Sequence, residues 1–199
     1  EFYEMLQSVA TYGGFYIGRY EVGDLNQTTP VVKRMNTDIG DQTWYKMYKK
    51  CKKLSGANTN VKTSMIWGTQ YDQVMNWLIK SGEKTPLDIN KGSVAWGNYS
   101  DNEFEYYTNT SKETATKKLG YGTRIASGAY EGAKANNIYD LAGNVWLRTL
   151  EAFSSGDSRY YRGGSSYYFG TYEYASFRYG YDPYASYDNV GFSGELYIK

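Results

Sequence analysis

Apolar residues recur at helical spacing in three places along the chain. In "EFYEMLQSVATYGG" Phe2, Met5, Leu6 and Val9 share one face and Gly13-Gly14 ends the run, which predicts a helix over 1–12. "QTWYKMYKKCKKL" repeats the spacing through Trp44, Met47, Tyr48, Cys51 and Leu54 and predicts a helix over 42–54. "TQYDQVMNWLIKSG" does so through Tyr71, Val74, Met75 and Leu78, with Gly82 as its stop, and predicts a helix over 69–80. Strand patterns are shorter. "FYIGRYEV" is aromatic and β-branched, and reads as a strand around 15–22. "VGFSGELYIK" alternates Phe192, Leu196 and Ile198 as a half-buried strand within 190–198. From Ser81 to Glu131 the text is polar and rich in Gly, Asn and Thr, and long ordered loops are expected. Helices early, short strands late and no βαβ rhythm give an α+β fold, without a repeat of fixed period. A length of 199 residues suits a single domain spanning 1–199.

The polar positions add less. Lysines 46, 49, 50, 52 and 53 fall opposite the apolar stripe of the second helix, which makes them its solvated side rather than a basic patch. Cys51 falls on the stripe itself, as a small buried hydrophobe. A net charge of +1 with 22% charged residues gives no drive toward nucleic acid or an anionic membrane. No apolar run is long enough to cross a bilayer, and no signal peptide is visible. The opening "EFYEML" has no initiator methionine, as expected of a fragment or processed product.

Composition changes the picture at the C-terminal end. Residues 151–199 hold 11 Tyr, 8 Ser and 7 Gly but no Trp, Met or Gln, whereas all five Trp and all five Met lie upstream. Chemistry, by contrast, is sparse. With no histidine and a single cysteine, the commonest general base, the commonest metal ligand and any internal disulfide are absent. Asp140, Asp182 and Asp188 lie in no oxygen-rich loop of calcium-binding spacing, so no metal is expected. A single-stranded nucleic-acid platform would need cations between its rings. Here Arg159, Arg162, Arg178 and Lys199 are outnumbered by Glu151, Asp157, Glu173, Asp182, Asp188 and Glu195.

Three ordered motifs carry a resemblance: "GGFYIGRYEV" at 13–22, "NNIYDLAGNVW" at 136–146, and "RYYRGG" to "DNVGF" from 159 to 192. Together they resemble the formylglycine-generating-enzyme/sulfatase-modifying module, a branch of the C-type lectin fold. Its catalytic branches rely on a C-terminal cysteine pair or a histidine triad, and its calcium-dependent sugar binders on Glu-Pro-Asn-like strings. This chain has none of these. The fold alone does not settle function. A fourth branch, the variable proteins of diversity-generating retroelements, is similar in composition too. In that branch adenines of Asn-type codons are randomised, which yields Tyr, Ser, Gly, Asp, Asn, Ala, Phe and others but never Trp, Met, Gln, Lys or Glu. Glu173 and Glu195 depart from this pattern and would be fixed template positions, while "LEA" at 150–152, "RGG" at 162–164 and the final "LYIK" resemble the fixed framework of such regions.

The resemblance implies a scaffold over 1–150 and a variable ligand-binding region over 151–199 that ends in a scaffold strand. Its expected ligand residues are Tyr160, Tyr161, Tyr167, Tyr168, Phe169, Tyr172, Tyr174, Phe177, Tyr179, Tyr181, Tyr184, Tyr187 and Asp188, with two thirds of the rings at the surface and the rest packing. Tyr brings a large amphipathic surface with few torsions to freeze, and Ser and Gly fit around it, as in antibody loops. Arg162, Gly163, Gly164, Asn144 and Trp146 are expected to be scaffold. The implied role is recognition of a protein or glycan on a cell surface, from a virion such as a phage tail or from a cell surface. No catalysis, cofactor, metal, nucleic acid or membrane insertion is expected. The alternatives are an enzyme of the same superfamily using Tyr or carboxylate acid/base groups, and a calcium-independent carbohydrate module.

Overall fold

The computed structural model describes residues 1–120, 122–154 and 157–199; Tyr121, and Ser155 and Gly156 of the Tyr/Ser/Gly-rich stretch, lie outside the described residues. Helix α1 (Phe2–Tyr12) ends at Gly13, whose φ of 83° closes the turn through its amide on Val9 O. Two short strands follow, β1 (Tyr16–Ile17) and β2 (Val22–Gly23), then β3 (Val31–Val32). Helix α2 (Trp44–Cys51), strand β4 (Val61–Met65), helix α3 (Gly68–Lys80) and the short helix α4 (Pro86–Asn90) complete the first half. The second half holds β5 (Phe104–Tyr107), β6 (Thr114–Lys117), β7 (Trp146–Ala152), β8 (Arg159–Arg162), β9 (Arg178–Tyr181), β10 (Val190–Gly191) and β11 (Gly194–Ile198).

Two sheets organise these pieces. One has the order β1-β11-β4 and is antiparallel throughout. The other has the order β10-β7-β8-β9, with β10 parallel to β7 and the remaining pairs antiparallel. The pairs β2/β3 and β5/β6 stand apart as two-stranded ribbons. The main core lies between α3 and β7, where Tyr71, Val74, Met75 and Leu78 meet Ile66, Leu141, Val145 and Leu147. A second cluster packs Trp44, Met47 and Cys51 of α2 on Met65, Leu150 and Phe192.

The α3 stripe is buried at all four expected positions. Cys51 is fully buried, and burial pushes its thiol up to about 12. Three expectations change. On α1 the buried positions are Met5 and Ser8, while Phe2 and Leu6 are exposed, with Phe2 tilted against Trp67. "FYIGRYEV" is two strands that join different sheets, not one. Strand β11 buries Glu195 and Tyr197 more deeply than Leu196 and Ile198. It is the middle strand of its sheet, with α1 laid across it, so the apolar alternation does not mark its covered face. The 81–131 stretch is mostly loop, as expected, but also contains α4 and the β5/β6 ribbon.

The three motifs meet in space. Asn144, held at φ 62°, donates through Nδ2 to Glu21 Oε2 at 2.8 Å and accepts through Oδ1 from Asn98 Nδ2 and Ile125 N, each at 3.0 Å. Tyr139 N donates to Arg19 O, and its ring stacks on Tyr20 at 5.2 Å. Gly143 N donates to Gly163 O, and Val22 N to Phe192 O. Asp140 accepts from Ser127 Oγ and Gly128 N at 2.9 and 2.7 Å. Burial raises the carboxyls of both Glu21 and Asp140, the latter to about 6, so this buried network retains protons that exposed carboxyls would shed.

Candidate ligand-binding face

Residues 163–177 leave the end of β8 and return as β9. They bend immediately, at Gly163 and Gly164, with φ of 89° and 72°. A Cβ on Gly164 would collide with Glu173 O, so the turn and the close crossing both need glycine there. Arg162, buried beneath the loop, donates to Ser176 O at 2.9 Å, pairs with Asp72 of α3 and lies over the Tyr71 ring. The Tyr71 hydroxyl sits 2.8 Å from Leu141 O and 2.9 Å from Ala175 O.

Further anchors run through the loop backbone. Ser166 N donates to Asn144 O, Gly170 N to Asp101 Oδ1, Ala175 N to Ser93 Oγ and Ser176 N to Ile89 O. Tyr168 O accepts from Ser100 N at 2.9 Å. With its peptide groups turned inward to the frame, the loop leaves many of its side chains pointing out.

Eight of the twelve expected ligand rings are exposed: Tyr167, Tyr168, Phe169, Tyr172, Tyr179, Tyr181, Tyr184 and Tyr187. A cleft of about 370 Å³ gathers Tyr161, Tyr168, Phe177, Tyr179, Tyr181 and Tyr187. Tyr161 is the buried wall, 5.8 Å from the Tyr181 ring, and Tyr181 meets Tyr187 edge-on at 5.4 Å with the two hydroxyls 2.9 Å apart. Burial lifts the Tyr161 phenol to about 12.

The other expected residues lie elsewhere. Phe169 and Tyr172 pair at 6.3 Å beside Tyr167 around a smaller hollow of about 290 Å³. Tyr167 donates to Asp188 Oδ2 at 2.9 Å, so Asp188 is tied to a ring. Tyr184 lies against Tyr45 of α2 at 5.0 Å. Tyr174 backs onto Phe177 at 5.6 Å. Tyr160 points to the opposite face of β8 from Tyr161, where it meets Phe153 at 5.1 Å and Arg178 at 4.0 Å.

Four cleft residues were not among those expected: Trp146, Glu173, Asn189 and Val190. Trp146 is only 6% exposed, consistent with a core ring, yet it also lines the cleft, 6.0 Å from Phe177 and 6.2 Å from Tyr168. Glu173 had one sequence signal, as an acid in a stretch whose composition disfavours it. Its Oε2 is buried without a hydrogen-bond partner among the described residues, and burial raises its carboxyl to about 7.

No protein-family model matches this chain. No curated protein matches it by sequence either. Solved structures do match. Variable protein 1 of Treponema denticola is similar over 96% of this chain and 80% of its own, with a TM-score of 0.51 and 15% identity. PvdO from Pseudomonas aeruginosa is similar over 92% of this chain and 80% of its own, with a TM-score of 0.60 and 12% identity. Both have the C-type lectin fold, and at these identities the likeness is one of fold. This α+β chain therefore has the C-type lectin fold, and the three motifs of its sequence are joints of that scaffold.

Proposed function

We propose that this chain is a ligand-binding module whose C-terminal stretch presents a Tyr/Ser/Gly-rich surface on a C-type lectin scaffold. The observation that carries this reading is the division of labour within 159–190. Backbone groups and Arg162 face the frame, while eight rings are exposed and most of the cleft's rings come from this stretch. So many exposed rings on one stretch are a liability unless they meet a partner. On this reading the partner is a protein or glycan carried on a cell surface, and the stretch is the variable region of a retroelement-diversified protein. The lopsided composition supports the second point, together with a fold shared with variable protein 1 of Treponema denticola.

Catalysis has little to work with here. The Cys51 thiol is sealed in the core, and the phenols of Tyr161, Tyr168 and Tyr181 are all pushed up, away from neutrality. Glu173 is left without a second group near neutrality to complete an acid/base pair among those phenols.

Arrays of surface proteins and of glycans, probed with the wild-type chain and with a Tyr179→Ser/Tyr181→Ser/Tyr184→Ser variant, test the reading. Binding by the wild type that the variant loses supports it. A wild type that binds nothing, or a variant that binds equally well, removes it. The variable-region element has a separate check in the surrounding DNA: a near-copy of codons 151–199 that differs only at adenines, beside a reverse transcriptase.

A further inference from the structure

The cleft combines ring faces with one acid. Trp146, Tyr161, Phe177 and Tyr181 form a chain of neighbours with centroids 5.8 to 6.4 Å apart, and Tyr187 closes it edge-on to Tyr181. Glu173 lines the same cleft, and its buried Oε2 has no hydrogen-bond partner among the described residues. A carboxylate withdrawn from water without a partner is costly, and such orphan atoms call for an explanation. Burial alone accounts for its raised carboxyl, with no cation offsetting it. Arg148 does lie 4.9 Å from the Tyr161 ring, but it is fully buried and does not line the cleft.

Aromatic faces carry negative potential and attract a cation placed over them, most strongly when it is poorly hydrated. Hydroxyl-rich or neutral apolar ligands would use the rings and leave the charge of Glu173 unanswered. An alkylated ammonium answers both: its methyl groups fill an apolar cleft and its charge meets the carboxylate. A volume of about 370 Å³ holds a group of that size.

We infer that the Trp146/Tyr161/Phe177/Tyr181 cleft binds a trimethylammonium-type cation, with Glu173 as its counter-charge. This rests on the reading of the Tyr-rich face as a binding surface, and names the chemistry that its cleft selects. Calorimetric titration of the full chain with choline and with its uncharged isostere, 3,3-dimethyl-1-butanol, isolates the charge. Choline is expected to bind about tenfold more tightly. Glu173→Gln keeps the shape and removes the charge, so it should bring choline down to the level of the isostere with a melting temperature no lower than that of the wild type.

Equal binding of the two probes by the wild type, absence of saturable choline binding, or a full choline preference in Glu173→Gln overturns the inference. Vesicles separate two sources of the same chemistry. Glu173-dependent binding to phosphatidylcholine but not phosphatidylglycerol vesicles assigns a lipid headgroup, and choline binding without vesicle binding assigns a free solute. A wild type that binds an array ligand but shows no choline preference defeats this inference alone. One that binds neither defeats the binding-surface reading as well.

Discussion

Glu21 and Asp140 are acids in places where most folds put apolar residues. Both are fully buried, and each has one oxygen with no hydrogen-bond partner among the described residues. Burial raises their carboxyls above unfolded values of about 4, so the native state holds protons that the unfolded chain has already released. Stabilisation from Asp140 is therefore complete below about pH 4 and is lost as pH rises through about 6. Asp140→Asn can still accept from Ser127 and Gly128 but does not titrate. Between pH 4 and pH 7 the wild type should lose about 2 to 3 kcal/mol relative to this variant, as read from denaturant midpoints. Parallel curves for the two proteins would contradict it. Trp146→Ala removes a ring that is 6% exposed and in contact range of Tyr161 and Phe177, and should cost about 3–5 kcal/mol in the same assay.

At the scale of elements, what the sequence revealed depended on how each element is covered. Helix α3 buries one stripe, so its 3.6-residue period was visible in Tyr71, Val74, Met75 and Leu78. Strand β11 is the middle strand of its sheet and places Glu195 inside, hydrogen-bonded by Gln70 Nε2 at 2.6 Å, so alternation pointed correctly to Phe192 but to the wrong face within the strand. The exposed rings of the C-terminal stretch were legible as composition but not as geometry. Tyr160 and Tyr161 are neighbours in β8 yet lie on opposite faces, and only register with β7 decides which one reaches the cleft. Glu173 joined the cleft through a loop whose path the text does not encode in any period. That path hinges on the turn after β8. Gly164→Ala combines an unfavourable φ with a collision against Glu173 O and should destabilise by roughly 2 kcal/mol in chemical denaturation. A loss within error of zero would mean that the turn relaxes freely.

For the whole molecule, the proposed function gives recognition mostly to exposed rings, with buried Trp146 and Tyr161 shared between core and cleft. Tyr179, Tyr181 and Tyr184 are 53%, 36% and 64% exposed, and their contacts are mainly with other surface rings. Changing exposed positions away from special features usually moves stability by about 0.5 kcal/mol or less each. The triple serine variant should thus melt within a few degrees of the wild type, by calorimetry, while it loses array binding. Truncated aromatic hot spots commonly cost about 2 kcal/mol or more of binding. If the triple variant melts as early as Trp146→Ala, those rings belong to the core and the division is wrong.

The inward hydrogen bonds of the 163–177 loop have a practical corollary. They are made by peptide groups, which every amino acid carries, so the path of the loop is nearly blind to the spelling of its outward letters. Only proline lacks the amide, and the anchoring amides belong to Ser166, Gly170, Ala175 and Ser176. A combinatorial library built on this chain can therefore admit the full alphabet at Tyr167, Tyr168, Phe169 and Tyr172 apart from proline, and must refuse proline at those four anchors. Clones drawn from such a library would inherit one frame and differ only in what they grip.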